Sequence, residues 1–129
     1  MENVNLSCLN GLRIVVVEDE TLIAMTIEDV LIDIGANVVA VTGTVGDALR
    51  AINELQPDAV TLDGNLDGEL SGAVAKQLQE SGIRHLLVTG YVERSLADPY
   101  LAAAPRLSKP FTPASLQQAA AAHLCPPVA

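Results

Sequence analysis

Apolar residues along this chain fall into blocks of two kinds. "LRIVVVE" (12–18) is a continuous apolar run, the pattern of a strand covered on both faces. "DETLIAMTIEDVLIDIG" (19–35) puts Ile23, Ile27, Val30 and Ile34 on one helical face, with Gly35 as the stop. "NVVAVT" (37–42) returns to strand. "TVGDALRAINELQP" (44–57) spaces Val45, Ala48, Leu49, Ile52 and Leu55 as a helix that Pro57 ends. "AVTLD" (59–63) predicts a third strand, "SGAVAKQLQESG" (71–82) a third helix and "IRHLLVTG" (83–90) a fourth strand.

Beyond residue 90 the pattern weakens. In "YVERSLADPYLAAAP" (91–105), Val92 and Leu96 fit one helix face, but Pro99 and Pro105 limit its length. The segment has few apolar anchors and is expected to be poorly ordered. "RLS" (106–108) predicts a short fifth strand. "TPASLQQAAAAHL" (112–124) predicts a last helix, with Thr112 as N-cap and Pro113 at its first position. The expected organisation is an N-terminal extension (1–11), one domain (12–124) and a loose tail "CPPVA" (125–129). Strands alternating with helices five times imply an α/β fold, a doubly wound parallel sheet with helices on both faces.

In open sheets of this class, sites form at the C-terminal ends of the strands, where the strand order reverses. Those ends carry polar groups here. The first strand ends at Glu18-Asp19-Glu20, the third at Asp63, the fourth at Thr89-Gly90, and the fifth segment at Lys109-Pro110. Taken singly, each has a plain structural reading. "DGNLDG" (63–68) is turn chemistry, acids suit the start of the first helix, and Asp67 and Glu69 read as solvated loop residues. Taken together, they suggest a site. Two carboxylates ~5 Å apart at an effective dielectric of ~20 repel by roughly 3 kcal/mol. Hence Glu18, Asp19 and Asp63, if they meet, call for protonation or a cation. Oxygen ligands favour Mg²⁺ or Mn²⁺. With Lys109 as a cation and Thr89 as a hydroxyl donor, the set suits a transferred phosphoryl group.

Charge and composition narrow the classes. The chain has 7 Lys and Arg against 16 Asp and Glu, a net charge of −9, which disfavours nucleic-acid binding. No apolar run reaches the ~18 residues of a membrane span, and "MENVNLSCLN" lacks the pattern of a signal peptide, so a cytoplasmic protein with no membrane contact is expected. Aromatics are only 2% of residues, so Val, Ile, Leu and Ala must build the core. Cys8 and Cys125 sit near opposite ends with no ligand spacing, and His85 and His123 are isolated, so no Cys or His chemistry is expected.

"VVVEDE", "TLD" (61–63), "VTGY" and "LSKPF" together resemble, in order and spacing, the receiver domain of response regulators in two-component signalling. The likeness covers about residues 12–124. It implies a flavodoxin-like sheet of order 2-1-3-4-5. It also implies that Asp63 accepts a phosphoryl group from a sensor histidine kinase or a histidine phosphotransfer protein. Mg²⁺ would sit at Glu18, Asp19, Asp63 and the backbone carbonyl of Asn65. Thr89 and Lys109 would bind phosphoryl oxygens, and the Lys109–Pro110 bond would be cis. The chain departs from the family at two places: Arg106 stands where Tyr or Phe is usual, and Gly90 where Ala is common. "TGY" (89–91) is similar to a subgroup with a Phe-Ala-Thr-Gly-Tyr-like motif that pairs with HWE-class kinases, although Leu87 and Val88 do not match it. Gly90, Tyr91 and Arg106 are therefore candidate switch residues.

With five residues after Leu124, the expected protein is a receiver that stands alone and signals by binding a downstream protein or by relay. Its only chemistry of its own would be self-catalysed phosphorylation and hydrolysis at the aspartate. The alternatives are a receiver-fold interaction module that works without phosphate, and a Mg²⁺-dependent phosphatase with an aspartyl nucleophile. The latter commonly carries an acid where this chain has Asn65.

Overall fold

The computed structural model describes residues 6–90 and 97–126. Five strands, β1 (Arg13–Val17), β2 (Asn37–Thr42), β3 (Ala59–Leu62), β6 (Arg84–Thr89) and β7 (Arg106–Ser108), form one parallel sheet in the order β2-β1-β3-β6-β7. Counting only these strands, that is the expected 2-1-3-4-5. The short β7 holds because it pairs with β6 through Leu87, Val88 and Thr89. The sheet's reversal point lies between β1 and β3, so the ends of those strands meet at the crevice.

Strand alternation divides the core into two layers. Val15, Val17, Val60, Leu62 and Leu87 face α2 (Val45–Leu55), α3 (Gly72–Ser81) and the short α4 (Pro99–Ala103). Ile14, Val16, Ala59, Leu86 and Val88 face α1 (Thr21–Asp33) and α5 (Pro113–His123). This explains the unbroken apolar runs of the central strands: β1 and β3 have helices over both faces and are buried along nearly their whole length. The caps follow the sequence. Thr44 accepts the Asp47 N–H at α2, and Thr112 with Ser115 closes a capping box ahead of Pro113 at α5.

Two expectations change. The Asp-Gly loop after β3 is a small hairpin, β4 (Asn65–Leu66) and β5 (Glu69–Leu70). Its turn residues Asp67 and Gly68 both have positive φ, 52° and 88°, the pairing that a tight two-residue hairpin demands. Pro99 is the first residue of a short helix, α4, where its missing N–H costs nothing. The described part of the 91–105 segment is anchored, since Leu101 is fully buried against the α2–α3 layer. Residues 91–96, including the proposed Val92 and Leu96 face, lie outside the described residues.

Asp98 caps α4 by accepting the N–H groups of Tyr100 and Leu101 at 2.8 and 3.1 Å. The same carboxylate lies against Gly72, the first residue of α3, where any Cβ would collide with it. Gly72→Ala must therefore displace Asp98. The lost cap, about 1 kcal/mol, and local overpacking of about 1–3 kcal/mol outweigh a helix-propensity gain of at most about 1 kcal/mol. Urea unfolding should show a net loss of about 1–3 kcal/mol. In an Asp98→Ala background the same change should be neutral or stabilising; an equal loss in both backgrounds would mean that the contact does not matter.

Candidate functional site

Glu18 and Asp19 leave the end of β1, and Asp63 the end of β3, so adjacent parallel strands deliver three acids to one edge. One carboxylate oxygen from each lies within 4.8 Å of the others. Lys109, just beyond β7, reaches into this cluster. Its Nζ lies 2.7 Å from Glu18 Oε1 and 3.0 Å from Asp63 Oδ2. The backbone holds the lysine there: its N–H donates to the Thr89 carbonyl at 3.1 Å. The Lys109–Pro110 peptide is cis.

The backbone around the acids is equally committed. Asp63 Oδ1 accepts the Asn65 N–H at 3.1 Å. Glu18 Oε2 accepts the Glu20 N–H at 3.1 Å, and Asp19 Oδ2 accepts the Asp67 N–H at 3.0 Å. Asp67 is the exposed loop residue expected, and its backbone N–H ties the hairpin turn to Asp19. Ser71, fully buried at the start of α3, donates its hydroxyl to the Asp63 carbonyl at 2.6 Å. The sequence reading missed both contributors. Ser71 was visible only as a cap-type residue before a helix, and its hydroxyl serves the neighbouring strand end instead.

Glu18 and Asp63 are each only 3% exposed. Burial, and then the neighbouring Asp63 carboxylate, push the Glu18 carboxyl up to about 7, against the opposite pull of Lys109 and the Glu20 N–H. Burial also works against the charge on Lys109, but its bonds to Glu18 and Asp63 prevail and raise it above the usual lysine range. Among the described residues, three acids face one cation, so the cluster carries excess negative charge. A divalent cation fits this oxygen donor set. Both Glu18 oxygens already have partners, which leaves Asp19 and Asp63 as the better placed direct ligands.

The titration has a consequence for metal-free protein. Glu18 binds its proton more tightly folded, near 7, than unfolded, near 4.5. Its contribution to stability is therefore full below pH 4.5 and is lost as pH rises through 7. Thermal melts in chelator should show a midpoint falling from pH 5 to pH 7.5, and Glu18→Gln should flatten that fall. An unchanged slope in the variant would assign the effect to other groups.

The remaining candidates are placed as follows. Thr89 is fully buried at the end of β6, and Gly90 lies beside the Lys109 stem. Tyr91 lies outside the described residues. Arg106 turns its guanidinium to α4, donating to the Leu101 carbonyl at 2.9 Å. An apolar groove of about 360 Å³, lined by Ile23, Thr26, Lys109, Pro110 and Phe111, opens beside the cluster.

Residues 14–121 match the response regulator receiver domain family. The chain belongs to that family. Among curated relatives of this receiver domain, the phyllosphere-induced regulator PhyR of Methylorubrum extorquens is 33% identical over 107 residues, 81% of this chain and 40% of PhyR. The crystal structure of the response regulator PhyR from Brucella abortus superposes with a TM-score of 0.78 at 28% identity, covering 92% of this chain and 50% of that one. The solution structure of SdrG from Sphingomonas melonis Fr1 gives a TM-score of 0.75 at 38% identity, covering 90% of this chain and 97% of that one. The receiver domain thus spans half or less of the two PhyR proteins and nearly all of SdrG. No helix among the described residues is long and apolar enough to cross a membrane.

Proposed function

We propose that this receiver domain accepts a phosphoryl group on Asp63 from a sensor histidine kinase or a histidine phosphotransfer protein, and signals by phosphorylation-dependent protein binding or relay. The observation that carries this reading is the Lys109 ammonium bridging Asp63 and Glu18 at the end of the parallel sheet, with Asp19 alongside. In the reaction, an Asp63 carboxylate oxygen forms a bond to phosphorus as the bond from phosphorus to the donor imidazole nitrogen breaks. The electron pair of that bond stays with the imidazole. Lys109 must then release part of its hold on Asp63 and take a phosphoryl oxygen. Thr89, on the strand whose carbonyl holds the Lys109 backbone, is the hydroxyl donor to another.

Mg²⁺ or Mn²⁺ among Asp19, Asp63 and the Asn65 carbonyl would neutralise phosphoryl charge. The groove beside Lys109 gives a protein donor apolar surface next to the acceptor, which suits a macromolecular partner. The subgroup likeness of "TGY" makes an HWE-class kinase the first donor to screen. The aspartyl phosphatase reading is the weaker one, because Asn65 is an amide whose Oδ1 is occupied by the Gly68 N–H at 2.7 Å. The test is incubation with acetyl phosphate and Mg²⁺ followed by intact-mass measurement, in which one phosphoryl group should be added per chain. No labelling by acetyl phosphate or by any cognate kinase would favour an interaction module that works without phosphate.

A further inference from the structure

Cys8 and Cys125, the only two cysteines of the chain, form a disulfide across a sequence separation of 117, with their Cα atoms 5.7 Å apart. This corrects the expectation of no cysteine chemistry, and it pins the segment read as a loose tail. The spacing gave no hint because the pairing is made by the fold. The single turn Ser7–Leu9 packs against the α1–α5 layer, and α5 brings its C-terminus back to the same edge.

We propose that Cys8 and Cys125 act as a reversible redox staple that locks both ends of the domain onto the α1–α5 layer. Three observations support it. The residues next to the bond matter to the core, since Leu9 and Leu124 are both fully buried. The segment they hold is weak by itself: Ser7–Leu9 is one turn of 3-10 helix with no side-chain cap. Both cysteines are only half-buried, so a small thiol can reach the bond. The staple also lies apart from the phosphoryl chemistry. It sits at the N-terminal edge of the strands, while the acids and Lys109 sit at the C-terminal edge.

Closure needs a low-molecular-weight disulfide such as glutathione disulfide as oxidant. One cysteine thiolate attacks it, expels a glutathione thiolate and becomes a mixed disulfide. The other thiolate attacks that protein sulfur and expels the second glutathione. The two protein thiols lose two protons and two electrons, and one glutathione disulfide becomes two glutathione thiols. An excess of reduced glutathione runs the exchange backwards.

Closing so long a loop removes much freedom from the unfolded chain. In glutathione disulfide the intact mass should be lower by two hydrogens than in excess reduced glutathione. The melting midpoint should be higher by on the order of 10 °C. Hydrogen exchange at 6–12 and 119–125 should speed up on reduction, while acetyl phosphate labelling stays equal in both forms. Cys8→Ser should melt at one temperature whatever the redox buffer. Three results would each overturn the staple: two titratable thiols persisting in glutathione disulfide, a bond that survives excess reduced glutathione, or oxidised and reduced wild type melting within about 1 °C of each other. Because wild type is compared with itself, a misfolded variant cannot mask the answer.

Discussion

Asp63→Asn should take the chain from one phosphoryl group per molecule to none. The amide keeps the size of the side chain and an oxygen to accept the Asn65 N–H, so the fold should survive. What it lacks is the nucleophilic oxygen. Neither neighbouring acid is placed to take over. Glu18 spends one oxygen on Lys109 and the other on the Glu20 N–H, and Asp19 accepts from Asp67. A second readout comes from electrostatics. The Asp63 charge helps to push Glu18 up to about 7, so neutralising it should bring Glu18 down. Carboxyl titration followed by NMR would show that shift even if no donor works. Equal mass gain in wild type and variant would move the acceptor elsewhere, and an unmoved Glu18 would mean that the two acids do not sense each other.

Lys109→Met should carry the second large effect. Its side chain is only 16% exposed and is the cation shared by Glu18 and Asp63. Removing one partner of a buried ion pair costs about 3–5 kcal/mol when the other stays charged. Here the full loss has an escape, because Glu18 already protonates near 7 and would do so more readily without the lysine. The part of the penalty that Glu18 carries should therefore be small at pH 6 and largest above pH 8, while the loss of the Asp63 pair remains at both. Adding Glu18→Gln to Lys109→Met should recover the pH-dependent part of that loss. Chemical denaturation at both pH values checks this, and a pH-independent penalty would point to lost packing instead. Acetyl phosphate labelling should slow on the order of 10²-fold, as when one preorganised donor to a transition-state oxygen is removed. A labelling rate unchanged from wild type would remove Lys109 from the phosphoryl site.

The sequence was informative wherever a local rule met a strong pattern. Unbroken runs at 12–18 and 59–63 required strands covered on both faces, and the two core layers supply the cover. Thr112-Pro113 named its own helix start. Placing polar residues at strand ends was enough to nominate Glu18, Asp19, Asp63, Thr89 and Lys109, because a parallel sheet delivers all its strand ends to one edge. The short helix that starts at Pro99 was not legible, because the same ring that breaks a helix interior also starts one, and the Asp98 cap ahead of it marks the start.

Residue patterns along the chain were sufficient for the alternation of strands and helices, the two-sided burial of the central strands and the edge where chemistry could collect. These follow from short-range periodicity and from the fixed geometry of parallel crossovers. Which groups touch depended on how the elements pack. That packing bridged Glu18 and Asp63 through one lysine nitrogen, turned Arg106 to the end of α4, set Asp98 against Gly72, and gave the hydroxyl of Ser71 and the N–H of Asp67 to the acid edge. It also joined Cys8 to Cys125 over a separation of 117. Contacts between residues far apart in the chain depend on where whole elements pack, and no local pattern of residue types encodes that.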